Sequence, residues 1–125
     1  MNISRGFLLT GAVYLLIGIA LGGHMGASGD HSLAPVHAHI NLLGFTLMTI
    51  FGLAYRLIPG LNAGWLGVAQ FWLHQIGGLV LLVALYLLMS GTLPPETVGP
   101  VMPVAEGMVL LSAIFWLANL WRAAR

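Results

Sequence analysis

Residues 36–57 read Val36-His-Ala-His39-Ile-Asn41-Leu-Leu-Gly44-Phe-Thr-Leu-Met48-Thr-Ile-Phe-Gly52-Leu-Ala-Tyr55-Arg-Leu57. Two histidines stand at the head of about 20 predominantly apolar residues, the length that carries a helix across a bilayer. A strand of a membrane barrel would alternate polar and apolar positions, and this stretch does not, so an α-helix is the conformation that satisfies its backbone in lipid. Three more stretches share this character: roughly Phe7 to Met25, Val68 to Met89 and Pro103 to Trp121. The breaks between the four carry turn chemistry, namely Gly26-Ala-Ser-Gly-Asp30, Pro59-Gly-Leu-Asn-Ala-Gly64, and Ser90 to Pro100 with Pro94, Pro95 and Gly99. No break is long enough for another domain. Residues 1–125 are therefore expected to form a single all-α, four-helix transmembrane domain embedded in the lipid bilayer.

The composition points the same way. Of 125 residues, 59% are hydrophobic and 6% charged, far from the balance of a soluble domain. Four basic residues spread along the chain cannot make the clustered cationic surface that displaces counterions from nucleic acid, so nucleic acid is excluded as a partner. The absence of cysteine removes disulfides, thiolate metal sites, iron–sulfur ligation and covalently attached haem. Any metal must be held by His, Met, carboxylate or backbone.

Four spans bring both termini to one side, and all four arginines fall there: Arg5 before the first helix, Arg56 at the end of the second, Arg122 and Arg125 after the fourth. The positive-inside rule makes that side cytoplasmic, in a multi-pass protein of a bacterial-type cytoplasmic membrane. Trp65, Trp72, Trp116, Trp121 and Tyr55 form an aromatic belt near the inner boundary, while Asp30 and Glu96 lie in the outward loops. The first apolar run is long for a secretory signal and reads as a signal anchor. Its Gly18, Gly22 and Gly26, at four-residue steps, form a small-residue stripe that lets another helix approach closely, within the chain or across a subunit contact.

Ionisable side chains within a membrane are functional candidates by default. At about 100° per residue, His37 and His39 point to nearly opposite flanks of one helix, so they do not chelate one ion together. Ligands on one face use a spacing of three or four; the spacing of two suits one site on each flank. The face of His37 continues through Asn41, Gly44, Met48, Gly52 and Tyr55, a small and polar stripe fit for a flat macrocycle or a close helix. The face of His39 continues through Leu43, Thr46 and Ile50. A lone interfacial histidine would more simply cap a helix or meet headgroups, and His24 and His31 read first as solvated loop residues, with metal binding as their secondary role. His74 lies in the inner half of the third helix, roughly 20 Å in depth from His39 by helical rise, and suits a helix–helix hydrogen bond, a proton path or a second site. Glu106, about three residues into the fourth helix by the sequence-read boundary, suits a metal ligand, a partner for a histidine, a proton relay or a carboxylate snorkelling to water.

The pattern His37-Ala-His39, then Tyr55-Arg-Leu-Ile-Pro59, then Phe71-Trp72-Leu-His-Gln-Ile76-Gly77 resembles subunit I of the haem-copper oxidases, over residues 37 to about 90. That subunit has twelve helices in three pseudo-symmetric arcs of four, and this chain looks like one arc, helices 9 to 12. The resemblance implies haem b as the cofactor, with the first histidine of the pair on one haem and the second on another. On the small and polar face of His37, Asn41 and Gly44 would then lie beside that haem. A lone arc would leave both flanks facing lipid, and three copies would rebuild the ring, so the expected assembly is a homotrimer with the axial ligands His37 and His39 contributed by neighbouring protomers.

Two features depart from that family. The copper-site histidines are absent, which argues against oxygen reduction at a haem-copper pair. No Arg or Lys lies on the outer side, so haem propionates would have to use the backbone amides around Ser32 to Val36, His24, His31 or water. Three functions compete: a haem b protein for electron transfer or gas sensing, with an unspecified redox partner; a copper or zinc binding or transport protein using His24, His31, His37, His39 and Glu106; and an assembly subunit without a cofactor.

Overall fold

In the computed structural model, which describes residues 1–125, four helices are long and apolar enough to cross a membrane: α1 (Ile3–Ser28), α2 (Ala34–Leu57), α3 (Trp65–Met89) and α4 (Met102–Ala123). There are no strands. At about 1.5 Å per residue these helices run about 33 to 39 Å, more than the hydrocarbon thickness of about 30 Å. The chain is a multi-pass membrane protein.

Each helix reaches beyond or up to the ends of its apolar run because local chemistry sets the boundary. The Asn2 side chain accepts from the Arg5 N–H at 2.9 Å and starts α1 four residues before Phe7. Gly29 closes α1 in the left-handed region (φ 71°), its N–H on the Met25 carbonyl. Pro35 and Pro103 occupy first-turn positions of α2 and α4, where a missing N–H costs nothing. Pro59 forces Ile58 into extended backbone and ends α2.

One helix departs from the regular geometry expected of it. Ile40–Thr46 of α2 is π-helical, starting at the residue after His39. The Leu47 N–H bonds the Leu42 carbonyl, five residues back, where a regular helix would use Leu43. His37 and His39 themselves lie in the α-helical turn Ala34–His39, so their opposed directions stand.

The helices pack as two antiparallel pairs, α1 with α2 and α3 with α4, and α2 and α3 join the pairs. The half of the bundle nearer the termini is held by Ile3, Phe7, Met48, Phe51, Tyr55, Leu61 and Phe71. Phe7 meets Phe71 edge-on at 4.8 Å between ring centres, and Phe51 meets Trp116 at the same distance. A smaller cluster toward the opposite end, Val36, Ile40, Leu82 and Leu85, seats the head of α2 on α3. Glycines make the α1–α2 approach close: Gly11 faces Met48, Gly18 faces Asn41, Gly22 faces His37, Gly44 faces Tyr14 and Gly52 faces Leu8. Of the small-residue stripe on α1, Gly18 and Gly22 therefore serve contacts within the chain, and Gly26 meets nothing.

A buried polar clamp ties together the helix ends on the side of the termini. Asn119 donates to the Tyr55 hydroxyl (3.2 Å) and the Leu61 carbonyl (3.0 Å), and Tyr55 donates to Gln70 Oε1 (3.1 Å). Ser112 donates to the Gln70 carbonyl (3.1 Å), and Arg122 Nη2 reaches the Gly60 carbonyl at 3.0 Å. The α4 end and the α2–α3 turn thus share one end of the molecule, where α1 also begins.

Only 28 of the 125 residues are buried, and large apolar side chains such as Leu16, Ile19, Leu57 and Leu110 are exposed, as expected of faces that meet lipid. Two substitutions check this packing. Gly44→Ala places a Cβ 2.5 Å from Tyr14 Cγ and should lower stability by about 1–3 kcal/mol. Gly26→Ala should not, since nothing lies within 4 Å of its added Cβ; thermal unfolding in detergent compares them. Asn119→Ala takes the donor from the buried Leu61 carbonyl and one of the two bonds from the Tyr55 hydroxyl and should cost about 1–3 kcal/mol by the same measurement.

Candidate functional site

The head of α2 presents its two histidines to different surroundings. His37 is half-buried and turned toward α1: a Cβ on Gly22 would lie 2.9 Å from His37 Cε1. Asn41 Nδ2 donates to His37 Nε2 at 3.1 Å, one turn down the same face, and His37 Nδ1 is buried with no partner. The Gly18–Gly22 groove of α1 is thus the seat for the His37–Asn41 pair. Gly44, on the same face, is buried under the Tyr14 ring.

His39 faces the other way and is exposed. Its Nδ1–H donates to the Pro35 carbonyl at 2.7 Å, four residues back. That bond fixes the tautomer and leaves the Nε2 lone pair free, the arrangement in which an imidazole binds a metal. Pro35 supplies this acceptor because it belongs to the first turn of the helix. His39 lines a cleft of about 290 Å³ with Leu42, Leu43, Leu81, Leu85 and Glu106, among other residues of α2, α3 and α4. His39 and Glu106 are its two polar residues.

The remaining candidates are placed differently. His24 and His31 are exposed near the loop between α1 and α2, where His31 Nδ1–H donates to the Gly29 carbonyl at 3.1 Å. Between them in the chain, Asp30 accepts from the Ser32 N–H at 2.9 Å; that bond first, and the nearby His24 and His31 last, hold its carboxyl below the usual range. His74 is buried, its ring between the edges of Phe7 and Phe51, with ring centres 6.0 and 5.2 Å away. Its Nε2–H donates to the Leu43 carbonyl at 2.9 Å. The helix–helix bond anticipated for His74 is present, but the depth is not as expected. Leu43 is one turn below His39, about 6 Å by helical rise, so His74 lies closer to the histidine pair than a count from each helix end implied.

No three His, Asp or Glu side chains converge on a site sized for a metal ion within the chain. The five residues of the outward cluster are instead split: His37 against α1, His39 with Glu106 in the cleft, His24 and His31 in solvent. A haem is better matched to one of these positions than to the other. His39 has a free lone pair, an apolar wall and open access. His37 has an unpartnered buried nitrogen, but its other nitrogen is taken by Asn41 and its ring is enclosed by α1. Sequence reasoning missed the buried polar clamp of Tyr55, Gln70 and Asn119. Only the polarity of three residues in apolar helices could have signalled it.

Comparison with known protein families, with curated proteins and with solved structures gives no match. The exposure pattern gives a direct chemical check: diethyl pyrocarbonate should modify His24 and His31 of the folded protein first, and His74 only on unfolding, as read by peptide mass spectrometry.

Proposed function

We propose that this chain is the subunit of a haem b protein of the cytoplasmic membrane, built as a homotrimer, with each haem held between His39 of one protomer and His37 of its neighbour. The observation that carries this reading is the state of His39: tautomer fixed by Pro35, Nε2 free, at the exposed mouth of an apolar cleft. The opposed flanks of His37 and His39 favour two neighbours over one shared ion. His37 would exchange its Nε2 bond to Asn41 for iron on assembly. A bound haem would supply a one-electron carrier, or a gas-binding iron where one ligand is displaceable.

The chain's own residues set the rest of the site. The Pro35 carbonyl keeps a proton on His39 Nδ1 and orients the ring. Leu42, Leu43, Leu81 and Leu85 exclude water from the cleft, and Glu106 is the nearest carboxylate to take up or release a proton there. Propionates would face the amides at the start of α2 and the exposed His24 and His31, on the outer side of the membrane. By the positive-inside rule the arginines support a cytoplasmic position for the termini and for the end of the bundle clamped by Asn119.

Replacing the ligands tests this. His39→Ala and His37→Ala should each remove most of the haem that co-purifies, or convert a six-coordinate spectrum to a five-coordinate one. Unchanged haem content and spectrum in both overturns the assignment. A pale, chelator-sensitive protein containing copper or zinc would instead favour the His39–Glu106 pair as part of a metal site.

A further inference from the structure

His74 does more than fill the core. The π-helical stretch Ile40–Thr46 separates the histidine-bearing turn from the lower half of α2. Such a stretch carries one more residue per turn of bonding than an α-helix and is rare without a compensating contact. Returning it to α-helical bonding would turn the head of α2 by about 100° relative to its foot. That rotation would move His39 out of the cleft and pull His37 from its seat against Gly22.

What opposes the return is visible at Leu43. With the Leu47 N–H committed to Leu42, the Leu43 carbonyl lacks its ordinary helical donor, and His74 Nε2 supplies one at 2.9 Å. His74 is 1% exposed, and Leu43 provides the hydrogen bond that the structure gives its ring. In an apolar interior each of these groups, left alone, costs several kcal/mol, so ring and carbonyl are satisfied together or not at all. Phe7 and Phe51 hold the ring edge-on and leave it little room to turn elsewhere.

We infer that His74 is a positioning residue: through the Leu43 carbonyl it holds the π-helical register of α2 and so sets the direction in which His37 and His39 point. As a statement about the helix this stands alone; as a statement about a cofactor site it rests on the haem reading above.

The test needs no haem, and the native absence of cysteine makes single introduced thiols clean reporters. Val36 is buried and Ala38 exposed on the same turn. With His74 intact, Ala38→Cys should react with a maleimide at least about tenfold faster than Val36→Cys, since a buried thiol reacts only through local opening. His74→Phe keeps the aromatic packing without the donor, and should bring the two rates together or invert them. His74→Gln, which offers an amide N–H near the same place, should restore the original ratio. If His74→Phe does not fold, His74→Met carries the same test. A folded variant lacking the donor but keeping the original ratio overturns the inference. Where haem is bound, the same variants should alter its ligation spectrum; a protein that binds no haem but shows the labelling change would refute the haem reading and leave the role of His74 intact.

Discussion

A peptide group inside a bilayer has no water to turn to, so every N–H and C=O must find its partner in protein. That constraint makes all four spans helical and makes each departure from regular helix bonding conspicuous. The one such departure within a span lies directly below His39, and a buried imidazole from α3 meets the carbonyl it releases. The same rule governs the end of the molecule that holds the termini, where Asn119 and Arg122 occupy the Leu61 and Gly60 carbonyls that the α2–α3 turn would otherwise leave bare.

Helix α2 is the element through which the remaining helices communicate. Its foot is locked by aromatic packing against α1, α3 and α4, and its head by Val36 and Ile40 on Leu82 and Leu85. Its small residues admit α1 on one side, while Leu42, Thr46, Ile50 and Leu53 on another are exposed. A helix fixed at both ends and bearing a different histidine environment on each flank is well placed to join two sites. In the proposed trimer the exposed flank would meet the next copy.

Much of the fold was legible in the sequence because lipid simplifies the reading: length and continuous hydrophobicity alone mark the four spans, and Pro and Gly mark their ends. The face of α2 running through Gly44, Met48, Gly52 and Tyr55 was also legible, since a small-residue stripe at helical spacing implies burial, and these four are buried. The π-helical stretch was not. Ile40–Thr46 contains no proline and no residue type that marks a change of bonding; its cause lies in His74, 31 residues away. The inward turn of His37 was legible only as one of two options, a macrocycle or a close helix on that face, and the choice depends on Gly18 and Gly22 of a different helix making room. The company of His39 and Glu106 required knowing that α4 closes on the head of α2, which no local pattern states.

The proposed function turns on whether the free nitrogen of His39 meets iron. The most direct measurement is the absorption spectrum of the detergent-purified protein, oxidised and then reduced with dithionite, with a pyridine haemochrome count per chain. Sharp α and β bands on reduction and about one haem b per protomer are the expected result for ligands shared around a ring. A protein with no Soret band, including after reconstitution with haem, would contradict it.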